Sequence, residues 1–169
     1  MSQPANGLRV ATAAALMGSF ACLGTVTAAA DPSSPEVSTL AGSLSKGYSL
    51  DNCTSQDPPS GALAAIQCGQ SPDSSGPALA TYLLFANPAD TTGSFKTSIN
   101  GMTQTNCGDT ESPTVWGRQQ GTTAGQVACG TYQGVAEIIW TTDAKNVVSV
   151  IHSSNTDVPS LYQWWRIKG

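Results

Sequence analysis

Histidine is almost absent: 169 residues hold a single one, His152. A metal centre needs three or four converging ligands, so one imidazole makes no evident set and no metal or cofactor is expected. No Cys-x-x-Cys pair occurs, which removes the usual zinc-ribbon and thioredoxin-type spacings. No Gly-x-Ser-x-Gly turn marks a hydrolase nucleophile, and the Gly-rich loop, His-Arg-Asp and Asp-Phe-Gly of protein kinases are missing. Charge is also scarce, at 11% of residues, and its balance is acidic, with 7 Lys and Arg against 11 Asp and Glu. Neutralising nucleic-acid phosphates or anionic lipids takes a basic patch, so neither class of partner is expected.

Residues 1–30 carry one charge, Arg9, and run apolar or small from Val10 to Ala30. The small residues Ala28-Ala29-Ala30 before Asp31 fit a signal peptide cleaved between Ala30 and Asp31. Cys22 would suggest a lipoprotein, but Ser19-Phe20-Ala21 lacks the aliphatic residue and small pair that lipidation reads. Residues 31–169 then form one secreted domain with a larger acidic excess once Arg9 is gone. No later segment is apolar enough for stable membrane insertion.

Four cysteines remain, Cys53, Cys68, Cys107 and Cys129. An even number in an exported chain reads as two disulfides, with three possible connectivities. The pairing expected is Cys53–Cys68 and Cys107–Cys129, because each links sequence-near strands.

The chain alternates short strands with a few helices. Ser34 caps a helix whose apolar face is Val37, Leu40, Ala41 and Leu44, with Gly47 as its stop. Tyr48 to Cys53 reads as a strand. Ala62 to Gly69 is another, with Ala62, Ala64, Ile66 and Cys68 on one face. Pro77 to Phe85 is apolar on both sides, as in a strand covered on both faces. Asn87 caps a helix from Pro88 to Ile99. Short strands follow at Met102 to Cys107 and Val115 to Arg118. Gly125 to Tyr132, Val135 to Thr142 and Val147 to Ile151 are longer strands joined by short turns. Asp157 caps a last helix with Leu161, Trp164 or Trp165, and Ile167 turned inward. The fold class is therefore α+β, a mostly antiparallel sheet with two or three packed helices. The recurrence of an aliphatic-x-Cys-Gly edge, a Gly-x-Ala strand start and an aromatic strand end in both halves suggests an internal duplication.

The motifs Gly47-Tyr48, Cys53, Pro59-x-Gly-Ala-Leu-Ala-x-Ile-x-Cys-Gly69, Gly76-Pro77, Tyr82-x-Leu-Phe85, Cys107 and Pro113-x-x-Trp116 form a set. It continues with Gly125-x-Val-Ala-Cys-Gly-x-Tyr132, Trp140-Thr141-x-Asp143 and Leu161-Tyr-x-Trp-Trp165. The set resembles an exported domain of mycobacteria and related actinobacteria. Similar domains form the extracytoplasmic ends of membrane serine/threonine kinases. The resemblance covers about Leu40 to Gly169 and implies an extracytoplasmic domain with paired disulfides. It implies no activity, and kinase chemistry does not carry over.

Weighed as chemistry, few residues stand out. His152 has Ser153, Ser154 and Asp157 near it in sequence, yet a triad is defined by convergence in space. Asp109, Glu111 and Glu137 offer carboxylates for glycoside hydrolysis, with nothing to place them across a cleft. Asn52-Cys53-Thr54 matches a glycosylation acceptor only formally. No catalytic residue is assigned and no enzyme activity is expected. Trp164 and Trp165 point about 100° apart on a helix. One is expected in the core and the other half-exposed, where with Trp116 it would make a binding surface. The expected function is a non-enzymatic binding or sensing domain at the cell envelope, its partner a protein or an envelope ligand. A secreted protease inhibitor using the loop Gln70 to Gly76 is the alternative, and a hydrolase with an unrecognised site the third.

Overall fold

The structure, a computed structural model, describes residues 34–117 and 121–169. The expected signal segment, Cys22, the expected cleavage point between Ala30 and Asp31, and Arg118 lie outside the described residues. The first helix, α1, is Pro35–Ala41, with Ser34 Oγ accepting from Val37 N. It ends at Gly42, earlier than the expected stop at Gly47. Strand β1 is Cys53–Gln56, so the strand expected from Tyr48 starts only at its last residue. Asn52 explains this: its Oδ1 accepts from Ser49 N at 2.8 Å and its Nδ2 donates to Gly47 O at 2.9 Å. An Asn side chain bonding to nearby backbone favours a turn over a strand.

Strands β2 (Ala62–Cys68) and β3 (Leu79–Phe85) precede α2 (Pro88–Ile99), which Asn87 caps as its sequence predicts. Then come β4 (Thr103–Thr105), β5 (Thr114–Trp116), β6 (Gly125–Tyr132), β7 (Val135–Thr142), β8 (Val147–His152) and α3 (Val158–Lys168). Among the described residues all eight strands make one antiparallel sheet, ordered β1-β2-β3-β8-β7-β6-β4, with β5 also on β6. The tight β6–β7 hairpin turns on Gln133 and Gly134, both at positive φ (49° and 84°). That pairing matches the right-handed twist of the strands it joins.

The sheet lies between helices. Ile66, Tyr82, Ile138, Trp140 and Ile151 face α1 and α3, where Val37, Leu40, Leu161, Trp164 and Trp165 cover them. On the opposite face, Phe95 and Ile99 of α2 pack over Phe85, Ala128, Ile139 and Val148. Strands β3, β7 and β8 are thus apolar on both sides, as a doubly covered strand must be. A register shift between Ala62 and Ala64 turns Ala62 to the α2 side, away from the face shared by Ala64, Ile66 and Cys68. Such a bulge breaks the period of two on which the single-face expectation depended.

Both expected disulfides are present, Cys53–Cys68 and Cys107–Cys129. They suit an oxidising compartment. Among the described residues no helix is long and apolar enough to cross a membrane.

The duplication is realised only in outline. Strands β1-β2-β3 and β4-β6-β7 flank β8 in mirrored order. Superposing them requires a half-turn about the strand direction, which exchanges the two faces of the sheet. That turn brings α3 onto the side of α2, yet Cys68 and Cys129 both face the α3 side. Under that turn strand order and helix placement match, while the faces on which the two disulfides lie do not.

Candidate functional site

A cleft of about 710 Å³ opens between the last turns of α3 and the segment from Cys107 to Gly117. Trp116, Tyr162 and Trp165 supply its aromatic wall, and Lys46, Asp109, Gln163 and Arg166 supply polar groups. Exposed Val115 and Ile167 stand at its rim, 66% and 65% accessible. Exposure of Ile167 corrects the expectation that it turns to the core.

Trp116 is held by the sheet. It sits opposite Gly125 across the β5–β6 ladder, and its Nε1–H donates to Thr141 O at 2.9 Å. A Cβ on Gly125 would lie 2.1 Å from that same carbonyl oxygen. Glycine there leaves the carbonyl open to the indole. The ring then meets Trp165 edge-on, with centroids 5.5 Å apart. Tyr162 stacks on Trp165 at 5.5 Å and packs under Gly108 of the disulfide-bound turn. Trp116 and the C-terminal helix are therefore in ring contact through Trp165.

Trp164 and Trp165 depart from expectation, because both are buried, at 4% and 6% accessibility. Their 100° divergence does not expose either one, since two parts of the fold receive them. Trp165 lies against Trp140 and Trp116, while Trp164 meets Tyr48 at 6.5 Å beside Gly76. The 45–48 turn and the 71–76 loop close over α3, so the core wraps more than one helix face. Of the three tryptophans expected at a binding surface, Trp116 is the half-buried one. Tyr162, Gln163 and Arg166 were not singled out from sequence. Helical spacing was the signal available, because Tyr162 and Gln163 lie four and three residues before Arg166 and so border the same groove.

Tyr48 and Tyr82 brace this side of the molecule. Tyr48 Oη donates to Gly69 O at 3.0 Å, and its pKa is pushed up to about 12 by burial, with Tyr82 adding to the rise. Tyr82 Oη donates to Ser45 Oγ and accepts from Ser45 N, and burial raises its pKa as well.

His152 and Glu137 form a pair that sequence reasoning did not foresee. They face each other across β7 and β8, Nε2 to Oε1 at 2.8 Å, on the α2 side of the sheet. Glu137 is 5% accessible and its Oε2 is buried without a hydrogen-bond partner. Tyr132 stacks on the imidazole at 6.3 Å and lies close to Gly101. An acidic residue inside the apolar run Val135–Trp140 was the one clue. Among the described residues no serine hydroxyl bonds the imidazole. Ser153 Oγ is committed to Asn155 O. Asp157 caps α3, accepting from Ser160 N at 3.0 Å and from Ser160 Oγ at 2.6 Å, and these bonds lower its pKa. The sequence neighbours of His152 therefore assemble no triad. The carboxylates do not pair either: Asp109 lines the cleft on the α3 side, Glu137 faces the α2 side, and Glu111 is exposed.

The Gln70 to Gly76 loop folds back on itself. Ser71 N donates to Pro77 O and Gly76 N to Asp73 O, while Asp73 Oδ1 accepts from both Ser75 N and Ser75 Oγ. The Asp73 pKa is lowered chiefly by the bonds from Ser75. No group of three or more potential metal ligands gathers among the described residues. Comparison of the chain with protein-family models, with curated proteins and with solved structures finds no match to any of them.

Proposed function

We propose that this chain is an exported, non-enzymatic binding or sensing domain acting at the cell envelope, and that the α3 cleft is its ligand site. One observation carries the reading: an open cleft pairs a fixed aromatic wall with a few polar side chains and exposed Val115 and Ile167 at its lip. Ligand sites are concave, with placed polar groups that fix the orientation of what they bind. The two disulfides and the signal-like first thirty residues support an extracytoplasmic setting. The motif resemblance to exported actinobacterial domains points the same way. The inhibitor reading is weaker, because a reactive loop must present an extended backbone and Gln70 to Gly76 is closed by its own hydrogen bonds.

The test is titration of the isotopically labelled domain with fractionated envelope glycans, lipids and peptides, followed by NMR. Shifts are expected at Trp116, Tyr162, Gln163 and Arg166, and Trp116→Ala is expected to abolish them while the rest of the spectrum persists. Shifts confined to the α2 face or to the 70–76 loop would overturn the assignment.

A further inference from the structure

Six asparagines lie in the described residues, and five of them are tied down or precede an obstructed amide. Asn52 uses both Oδ1 and Nδ2 within the 47–52 turn. Asn87 caps α2, and Pro88 after it has no N–H. Asn106 precedes Cys107, whose amide donates to Thr110 O at 2.8 Å. Asn146 precedes Val147, which is β-branched and fully buried. Asn155 Oδ1 accepts from Asp157 N at 2.8 Å. Asn100 differs on each count. It is exposed, it lies in the turn just past α2, and no hydrogen bond holds its side chain among the described residues. Gly101 follows it, also exposed, with no Cβ beside its backbone nitrogen. One bond closes this turn, Met102 N to Ile99 O at 3.3 Å, which is long for an amide donor.

An unbonded Asn side chain turns readily onto its neighbouring backbone. We infer that Asn100 is a site of spontaneous covalent modification, in which Gly101 closes a succinimide that opens to aspartate and isoaspartate. Ring closure takes Asn100 away from its ψ of −23°, at the cost of no more than the one long bond of the turn. The Gly101 nitrogen attacks Asn100 Cγ, and the N–Cγ bond forms as the Cγ–Nδ2 bond breaks. The Gly101 amide proton passes to a solvent base, and Nδ2 leaves as ammonia. Water then adds to either imide carbonyl, and the bond from that carbonyl to nitrogen breaks. Opening at one carbonyl gives aspartate and at the other isoaspartate, with no oxidation or reduction. The site is coupled to the sheet on the α2 side, away from the α3 cleft. A Cβ on Gly101 would lie 3.3 Å from the Tyr132 ring, Tyr132 stacks on His152, and His152 bonds Glu137. Isoaspartate lengthens the main chain by one carbon between Asn100 and Gly101, just before buried Met102. It therefore moves the backbone on which Tyr132 rests. Both products also set a carboxylate at the C-terminal end of α2, which the helix dipole disfavours.

The test is ageing of the purified, oxidised protein in mildly alkaline buffer, followed by peptide mass spectrometry with fragmentation that separates position 100 from Asn106. Asn100 is expected to convert about tenfold or more faster than the other five, because only it has an unhindered glycine amide as neighbour. Its product should contain isoaspartate as well as aspartate, the former detected by isoaspartyl methyltransferase labelling. Gly101→Ala should slow conversion by about tenfold or more, since a Cβ crowds the attacking nitrogen. In the purified isoaspartyl fraction the Tyr132 and His152 ring resonances should shift. Asn100→Asp carries the new charge without the extra carbon and should leave them in place. Conversion at Asn100 no faster than at Asn155 overturns the inference. Aspartate without isoaspartate overturns the cyclic route, as does an unchanged rate in Gly101→Ala. Ring resonances unmoved in the isoaspartyl fraction, or moved equally by Asn100→Asp, overturn the coupling through the lengthened backbone.

Discussion

Replacing Trp165 by alanine separates a structural residue from a ligand-facing one. Trp165 is 6% accessible and touches Trp116, Trp140 and Tyr162, with centroids 5.5, 6.0 and 5.5 Å away. Burying an indole removes about 200 Å² from water, worth about 5 kcal/mol at about 25 cal/mol/Å². Residual compactness of the unfolded chain trims that by roughly 10–40%. The three ring contacts restore some of it, at about 0.5–1.5 kcal/mol each. Trp165→Ala is therefore expected to destabilise the fold by about 3–5 kcal/mol, the usual range for a large aromatic deleted from a core. That is a large share of the roughly 5–15 kcal/mol available to a domain. The assay is urea unfolding of the oxidised protein followed by far-UV circular dichroism, since fluorescence would change with the tryptophan itself. The midpoint should fall sharply at unchanged slope. A loss below about 1 kcal/mol, on the scale of a surface substitution, would refute the enclosure of Trp165.

Two further outcomes are expected. Replacing Cys53 and Cys68 together by alanine, or Cys107 and Cys129 together, should each lower stability by about 3 kcal/mol from the loop-closure entropy of sequence separations of 15 and 22; an unchanged urea midpoint in either pair would contradict this. Alkali should weaken the fold through Tyr48, whose folded pKa of about 12 lies above its ordinary 10.0. A raised pKa means the protonated phenol is favoured in the folded state, so its stabilisation is complete below about pH 10 and is lost as pH rises through about 12. Tyr48→Phe should flatten part of that decline, with Tyr82 retaining the remainder; an identical pH profile for the variant would show that burial of the phenol is not its source.

Local signals read well from sequence. Ser34, Asn87 and Asp157 each announced a helix start, because a short polar side chain before a proline-led turn has little else to do. The both-sided apolar pattern of β3 revealed a doubly covered sheet. Misreadings arose where tertiary contacts set the outcome. The Asn52 bonds converted an expected strand into a turn. The bulge at Ala62 reversed one side chain. Trp164 and Trp165 were judged as if a helix had one buried face, whereas the 45–48 turn and the 71–76 loop close over a second. Glu137 and His152 are 15 residues apart, and only the β7–β8 register brings them together. The cleft was half legible: Trp116 was named, but its partners Tyr162, Gln163 and Arg166 depend on how α3 is rotated against the sheet.

The two disulfides occupy equivalent places in the sheet's order. One ties β1 to β2, and the other ties the chain just past β4 to β6. These are the two margins, where a strand has a neighbour on one side only and would otherwise fray or recruit a foreign strand. The central strands are secured by core packing on both faces and need no staple. Reduction would thus unpick the sheet from its borders inward, exposing edges before the core opens. For a chain that oxidises as it folds, disulfide formation is the step that finishes those borders, and an unoxidised molecule would be the form prone to associate edge to edge.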